Sequence, residues 1–433
     1  VEDRTKNIAV LGLDERNLAL LREIARSEPY RFHALLTREE LMLGDVSLAR
    51  LLDEAQDRLD SFGFPVDAIV GYWDFPVSSM VPILATRSGL PGPSLESVVK
   101  CEHKYWSRLE QRKVTDSHPG FGIIDLDDPH PPPGLSFPMW VKPVKSFSSD
   151  LAFKVEDPGE LAEAATEIRR GACRVGEAFD FLLSMLELPP EIAEIGGLAC
   201  LAEEEVGGVQ LTAEGYCADA GPQVYGIVDS LCYPDSSSFL RYQYPSKLPA
   251  DVQDRIAAIS ADVIRQIGLS SSAFNIEYFW DPDQDELNIL EINPRLSQSH
   301  APLFEFVDGA PNHLCMVKLA LGEEPFMPHR QGDFAVAAKW FMRTFTDAVV
   351  RSVPSEEDVE RLRSTFPEAI VDIIADRGHR LSDLHGQDSY SFELAALYLA
   401  AQDEAELIRK YRRCLDMLPF SLADDHDPDC SRS

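Results

Sequence analysis

Two short segments carry the residues best suited to chemistry. Residues 272–280 read SAFNIEYFW and residues 287–295 read LNILEINPR, with the polar stretch DPDQDE between them. Both segments are rich in apolar, aromatic and β-branched residues, so the pair reads as a β-hairpin. Folded symmetrically about Gln284, it sets Glu277 opposite Glu291 and Asn275 opposite Asn293. Side chains two apart share a strand face, so these four converge on one patch. Two carboxylates and a carboxamide oxygen in apolar flanks form a hard-oxygen site of the kind that takes Mg²⁺ with a nucleotide phosphate. A hairpin with an acidic, solvent-facing edge has the same pattern, and spacing alone does not separate the two.

The string LEINPR goes further, because it resembles the metal-binding segment of the ATP-grasp superfamily. The resemblance implies that Glu277, Glu291 and Asn293 hold Mg²⁺, or Mn²⁺ in its place, on the ATP phosphates. It makes Arg295 the residue that steadies the transferred phosphoryl group or the acyl phosphate. Upstream, residues 139–155 (MWVKPVKSFSSDLAFKV) are similar to the strand–loop–strand that covers the nucleotide in that superfamily. By that likeness Lys142 reaches the α-phosphate, with Ser148 and Ser149 in the phosphate loop. Phe147, Asp150 and Leu151 stand where glycines are frequent, a departure, since backbone N–H groups approach phosphate most closely at glycine. Residues 201–216 (LAEEEVGGVQLTAEGY) resemble the hinge, with Glu203 and Glu204 as the acids that face adenine. Gln210 replaces the usual ribose acid; an amide still hydrogen-bonds a hydroxyl, without charge assistance. Glu214 shares a strand face with Gln210 and matches an acid common in the carboxylate–amine ligase branch. Residues 95–109 read as one amphipathic helix whose Lys104 matches a nucleotide-directed lysine, although a solvated helix lysine fits the same sequence.

The substrate side is expected in residues 229–244 (DSLCYPDSSSFLRYQY), read as part of a loop over 232–249. Arg241 is a lone cation among aromatics, suited to clamp a carboxylate bidentately or to stack on Tyr242 or Tyr244. His300, just past Arg295, is a candidate base for an incoming amine, and equally a satisfied loop histidine.

The elements that must position these groups begin with a βαβ series: strands over 6–12, 32–37 and 68–72, helices over 16–25 and 47–59. Alternation of this kind implies a small parallel sheet. Its first turn, LGLDER, has one glycine, so a dinucleotide fingerprint is absent. Helices are expected over 160–170, 250–267 and 310–321, a strand over 224–229, strands over 335–341 and 369–375, and a helical end over 391–418. The fold class is α/β (α+β), and the resemblance implies an ATP-grasp fold with a Rossmann-like N-terminal domain over 1–97, a nucleotide-binding domain over 98–330 with its lid over 138–200, and a small C-terminal α+β domain over 331–433.

Composition narrows the partners. A net charge of −33 disfavours nucleic acid and anionic membrane surfaces. No apolar run is long enough to span a bilayer, and the charged start shows no signal peptide. The eight cysteines fall in no Cys-x-x-Cys pair, which suits reduced thiols in a cytoplasmic protein. The resemblance implies an ATP-dependent ligase that joins a small carboxylate to an amine through an acyl phosphate, often as a homodimer. A bicarbonate-activating enzyme of biotin-carboxylase type and a nucleotide-binding regulatory protein are the competing readings.

Overall fold

The computed structural model describes residues 4–26, 28–42, 47–146, 151–171, 173–384, 387 and 391–423. The chain forms two compact units, one of Val1–Ile227, Leu248–Gln298 and Asn312–Met327, the other of Val228–Lys247, Ser299–Pro311 and Pro328–Ser433.

In the first unit, β1 (Lys6–Leu11), β2 (Tyr30–Leu36) and β3 (Ala68–Gly71) form a parallel sheet in the order β2-β1-β3. The helix Glu15–Ile24 starts where the Asp14 carboxylate accepts the Asn17 N–H at 2.9 Å, an N-cap that satisfies an orphan donor. The helix Leu48–Ser61 buries Leu48, Leu51, Leu52, Ala55 and Leu59, its 3–4-spaced stripe, against the sheet's core. Gly12 has φ +69, and a Cβ there would lie 2.7 Å from the Trp73 indole, whose Nε1–H donates to the Gly12 carbonyl at 2.8 Å. The single glycine of the first turn thus admits a tryptophan.

An antiparallel sheet follows: β4 (Phe121–Ile124), β5 (Met139–Pro143), β6 (Phe153–Val155) and β7 (Cys200–Glu204), ordered β4-β7-β5-β6. The helix Pro158–Gly171 covers it with Leu161, Ala164 and Ile168. β8 (Val209–Ala218) and β9 (Gly221–Cys232) come next; β9 leaves the first unit at Ile227, and β10 (Phe239–Tyr244) lies in the second. β11 (Ser272–Asp281) and β12 (Glu286–Asn293) return to the first unit, where the order is β12-β11-β8-β9. The helix Ala250–Ile267 ends at Gly268 in the left-handed conformation, φ 80, and buries Ile256, Val263 and Ile264 against Leu211, Phe274 and Ile276.

In the second unit β13 (Val336–Thr344), β15 (Ile370–Ile373) and β16 (Phe392–Ala401) extend β10 in the order β10-β13-β16-β15, while β14 (Val349–Ser352) pairs with β17 (Ser421–Ala423). The helices Glu356–Thr365 and Glu404–Met417 set Leu362, Leu407 and Cys414 against Trp340, Leu397 and Leu399.

Four expectations from sequence are corrected. Residues 392–401 are a strand: β16 lies between two others and buries nearly every side chain, so its run FELAALYLAA shows no alternation and reads like a helix. Residues 239–244 are strand β10, not loop, paired with both β9 and β13. Residues 95–109 are two helices, Leu95–Glu102 and Lys104–Gln111, broken at His103. There the imidazole Nδ1 accepts the Trp106 N–H at 3.2 Å, and Nε2 lies 3.1 Å from the Gly196 carbonyl. The helix expected over 310–321 begins at His313, and a further helix, Ala301–Asp308, precedes it.

Candidate active site

The hairpin sets Glu277 opposite Glu291 and Asn275 opposite Asn293, the register expected from symmetry. Beyond Glu277 the register slips by one, so Leu290 is the extra residue of a bulge. Its carbonyl accepts from Arg108 at 2.8 Å, and the neighbouring Ile289 N–H donates to the Ser117 carbonyl at 2.9 Å. Asn275 organises the patch: its Oδ1 accepts from Asn293 Nδ2 at 3.0 Å, and its Nδ2 donates to the Arg295 carbonyl at 3.0 Å. This fixes the Asn293 amide so that its oxygen points away from Asn275.

Burial, and then the facing Glu291 carboxylate, raise the Glu277 pKa above the usual carboxylate range. Glu291 moves the other way: burial raises it, but the adjacent Lys104 ammonium outweighs that and holds it low. Two close carboxylates beside an amide oxygen are hard donors and fit Mg²⁺; the mutual repulsion is the charge that a divalent cation would cancel. Among the described residues no cluster of three or more His, Cys, Asp or Glu side chains offers another metal site.

Cations surround this patch. Lys104 Nζ donates to the Ser146 carbonyl at 3.0 Å and pairs with Glu291. Glu203 is a buried hub: its oxygens take Arg108 Nε and Lys142 Nζ, each at 2.6 Å. Burial opposes ionisation of Glu203, but these two charges hold its pKa down at about 2, while burial lowers that of Lys142. Lys145 pairs with the buried Glu102 at 3.1 Å, between the rings of Phe75 and Phe179. Arg295 donates from Nε to Asp74 at 2.7 Å, and its NH2 group pairs with the same oxygen. An aspartate past the end of β3 therefore holds the arginine past the end of β12.

The remaining expected residues sit as follows. Gln210 donates to Glu277 at 3.3 Å, beside the Glu277–Glu291 pair. The Glu203 side chain, expected at adenine, is committed to its two ion pairs, whereas Glu204 is exposed next to Gly120. Glu214 is fully buried and accepts the Ser297 N–H at 3.1 Å and the Tyr225 hydroxyl at 3.2 Å, so it supports the turn after Arg295. Ser148 and Ser149 lie outside the described residues.

In the second unit Arg241 pairs with Glu404 at 2.8 Å and lies 5.4 Å above the Trp340 ring, rather than stacking on Tyr242 or Tyr244. His300 is buried edge-on to Tyr242, 5.0 Å between ring centres, at the head of the helix Ala301–Asp308. Sequence reasoning passed over Lys339. Its ammonium lies 4.3 Å from the Phe341 ring centre and 5.8 Å from that of Tyr398, donates to Ser299 Oγ at 3.2 Å, and pairs with no carboxylate among the described residues. It also missed Asp74, Glu102 and Arg108, whose partners are distant in sequence. The acid of GYWDF, set directly after a buried strand, was the one available signal.

The carbamoyl-phosphate synthase L chain, ATP binding domain, matches residues 243–325, a span that contains Glu277, Glu291, Asn293 and Arg295. A D-alanine–D-alanine ligase from Chlorobium luteolum is 26% identical over 159 residues, 37% of this chain. That match spans 39% of the relative's length. Among solved structures, an L-amino acid ligase from Bacillus licheniformis superposes with a TM-score of 0.73 at 15% identity, over 97% of this chain and 100% of that one. The biotin carboxylase domain of 2-oxoglutarate carboxylase from Hydrogenobacter thermophilus, solved with MgADP and bicarbonate, gives 0.65 at 13% identity over 97% and 92%. The fold is that of the ATP-grasp ligases. Within it, the matched segment holding the paired glutamates is similar to the ATP binding domain of the carbamoyl-phosphate synthase L chain.

Proposed function

We propose that this chain is an ATP-dependent, ADP-forming carboxylate–amine ligase that uses Mg²⁺. The observation that supports it most is the Glu277–Glu291–Asn293 set, with Lys104 on one side and Arg295 on the other. A divalent cation held by these three residues would neutralise phosphate charge. Lys142 and Lys104 supply positive charge for the α- and β-phosphates, and the backbone of residues 203–205 faces the base. The proposed division is a Rossmann-like domain over 1–97, a nucleotide-binding domain over 98–330 and a C-terminal domain over 331–433.

In the first step a substrate carboxylate oxygen attacks the γ-phosphorus, the bond to the β-phosphate oxygen breaks, and ADP departs with the electron pair. Arg295 balances the charge on the resulting acyl phosphate. In the second step an amine attacks the acyl carbon, the carbon–oxygen bond to phosphate breaks, and the nitrogen loses a proton to give an amide. Catalysis of this kind rests on positioning and preorganised charge. The test is an ADP-release screen over small carboxylates paired with amines. Turnover that needs both a carboxylate and Mg²⁺ supports the proposal; ATP turnover indifferent to every carboxylate counts against it.

A further inference from the structure

Asp74 uses only one of its carboxylate oxygens. Oδ1 takes both the Nε–H and the NH2 group of Arg295, while Oδ2 has no partner among the described residues. The Asp74 side chain is 35% exposed against 16% for Arg295, so the unused oxygen belongs to the more open member of the pair. Its main chain is fixed, because the Asp74 carbonyl accepts the Val77 N–H at 2.9 Å where the helix Val77–Arg87 begins. Arg295 has donors to spare as well. NH1 gives one hydrogen to the Leu296 carbonyl at 3.1 Å, and a guanidinium carries five.

The charges facing this pair constrain what can dock on it. Glu277 and Glu291 lie opposite each other in the adjoining hairpin, and Asp74 acts electrostatically on Glu277. A plain carboxylate approaching Arg295 therefore meets three acids and a guanidinium already half neutralised by one of them. An acid with a protonated amine beside its carboxyl group brings its own counter-charge. Its carboxylate takes the spare Arg295 donors while its ammonium takes the spare Asp74 oxygen, closing a four-membered ring of alternating charges.

Resting on the ligase reading above, we propose that Asp74 is a specificity-determining residue, whose free carboxylate oxygen binds the ammonium of an amino acid activated at its carboxyl group. Asp74 thereby excludes carboxylates that lack the amine.

The experiment compares acids that differ only in that amine: alanine against propionate, and phenylalanine against 3-phenylpropionate. Carboxylate-dependent ADP release is measured for the full chain, for Asp74→Asn and for Asp74→Glu, with melting temperatures recorded for each. The wild type is expected to favour the amino member in kcat/KM by about 100-fold, since an unpaired polar group in the site rejects the analogue. Asp74→Asn should shrink that ratio at least about tenfold, and Asp74→Glu should retain most of it. A ratio unchanged in Asp74→Asn, with both acids slowed alike, would show that Asp74 only holds Arg295 and would overturn the proposal. So would equal use of propionate and alanine by the wild type. Should Asp74→Asn fail to fold, N-acetylalanine with the wild type decides: rejection supports the ammonium site, and use as good as alanine's refutes it. Each refuting result leaves carboxylate-dependent turnover intact. Absence of turnover with every acid and amine would instead remove the ligase reading itself.

Discussion

Replacing Arg295 by lysine separates a catalytic role from a structural one. The guanidinium spends its Nε–H and one NH2 hydrogen on Asp74 and one NH1 hydrogen on the Leu296 carbonyl, leaving one donor on each terminal nitrogen. A planar fork can therefore grip Asp74 and two phosphate oxygens together. Lysine keeps the charge, but its single ammonium serves Asp74 or the acyl phosphate, not both in the same geometry. Loss of such donors costs about 2.7–4 kcal/mol in the transition state, about 100-fold to 1,000-fold in turnover. Ground-state nucleotide affinity should change by less than about threefold, because the group acts on charge that develops during transfer. The ion pair with Asp74 is partly exposed, so its loss should cost only about 1 kcal/mol of stability. Steady-state ADP release, titration with a fluorescent ATP analogue and thermal melting on one preparation read the three quantities. Near-normal turnover with a lowered melting temperature would rule out the catalytic role and leave Arg295 as a strand-end anchor.

Further outcomes follow from the same geometry. Glu291→Gln should keep the fold but raise the Mg²⁺ concentration needed for half-maximal turnover at least about tenfold, since one of two charged ligands becomes neutral; an unchanged magnesium titration contradicts the assignment. Lys142→Ala should raise KM for ATP more than KM for either other substrate, and a uniform effect on all of them would make Lys142 a structural partner of Glu203. Glu203→Ala should destabilise by about 3–5 kcal/mol, because it strands two buried cations; a change in denaturant midpoint worth less than about 1 kcal/mol would show the hub relaxes. Burial lowers the His103 pKa from 6.5 to about 4, and its Nδ1 must stay unprotonated to accept the Trp106 N–H. The unfolded chain thus binds the extra proton first, so stability is full above pH 6.5 and falls toward pH 4 by up to about 3 kcal/mol. His103→Asn, which can still cap the helix, should flatten that part of a stability–pH curve; an identical slope in the variant assigns the loss to other groups.

The sequence was most informative where short-range pattern and chemistry coincide. Glu277, Glu291, Asn275 and Asn293 could be placed in register because a polar six-residue turn fixes how two apolar strands meet. The bulge at Leu290 was invisible, since its partner Arg108 lies 182 residues upstream, in the same segment as the Ser117 that bonds Ile289. β16 was misread because a strand covered on both sides loses the period that identifies it. The break at His103 depends on a carbonyl at Gly196 that no local pattern announces. The same holds for Asp74: nothing near it in sequence signals Arg295, and the pair forms only when the ends of β3 and β12 come together. Arg241 looked like a lone cation only because Glu404 lies 163 residues away.

The proposed reaction activates a carboxylate as an acyl phosphate. Incubating the chain with ATP, Mg²⁺, a responsive carboxylate and hydroxylamine, then quantifying hydroxamate and nucleotide products together, tests this directly. A nucleophilic trap intercepts the acyl phosphate by displacing phosphate at the acyl carbon. An acyl phosphate intermediate predicts acyl hydroxamate and ADP in equal amounts, both abolished in the Glu291→Gln variant at low Mg²⁺. Hydroxamate accompanied by AMP and pyrophosphate, or ADP released with no hydroxamate from any carboxylate, would contradict it.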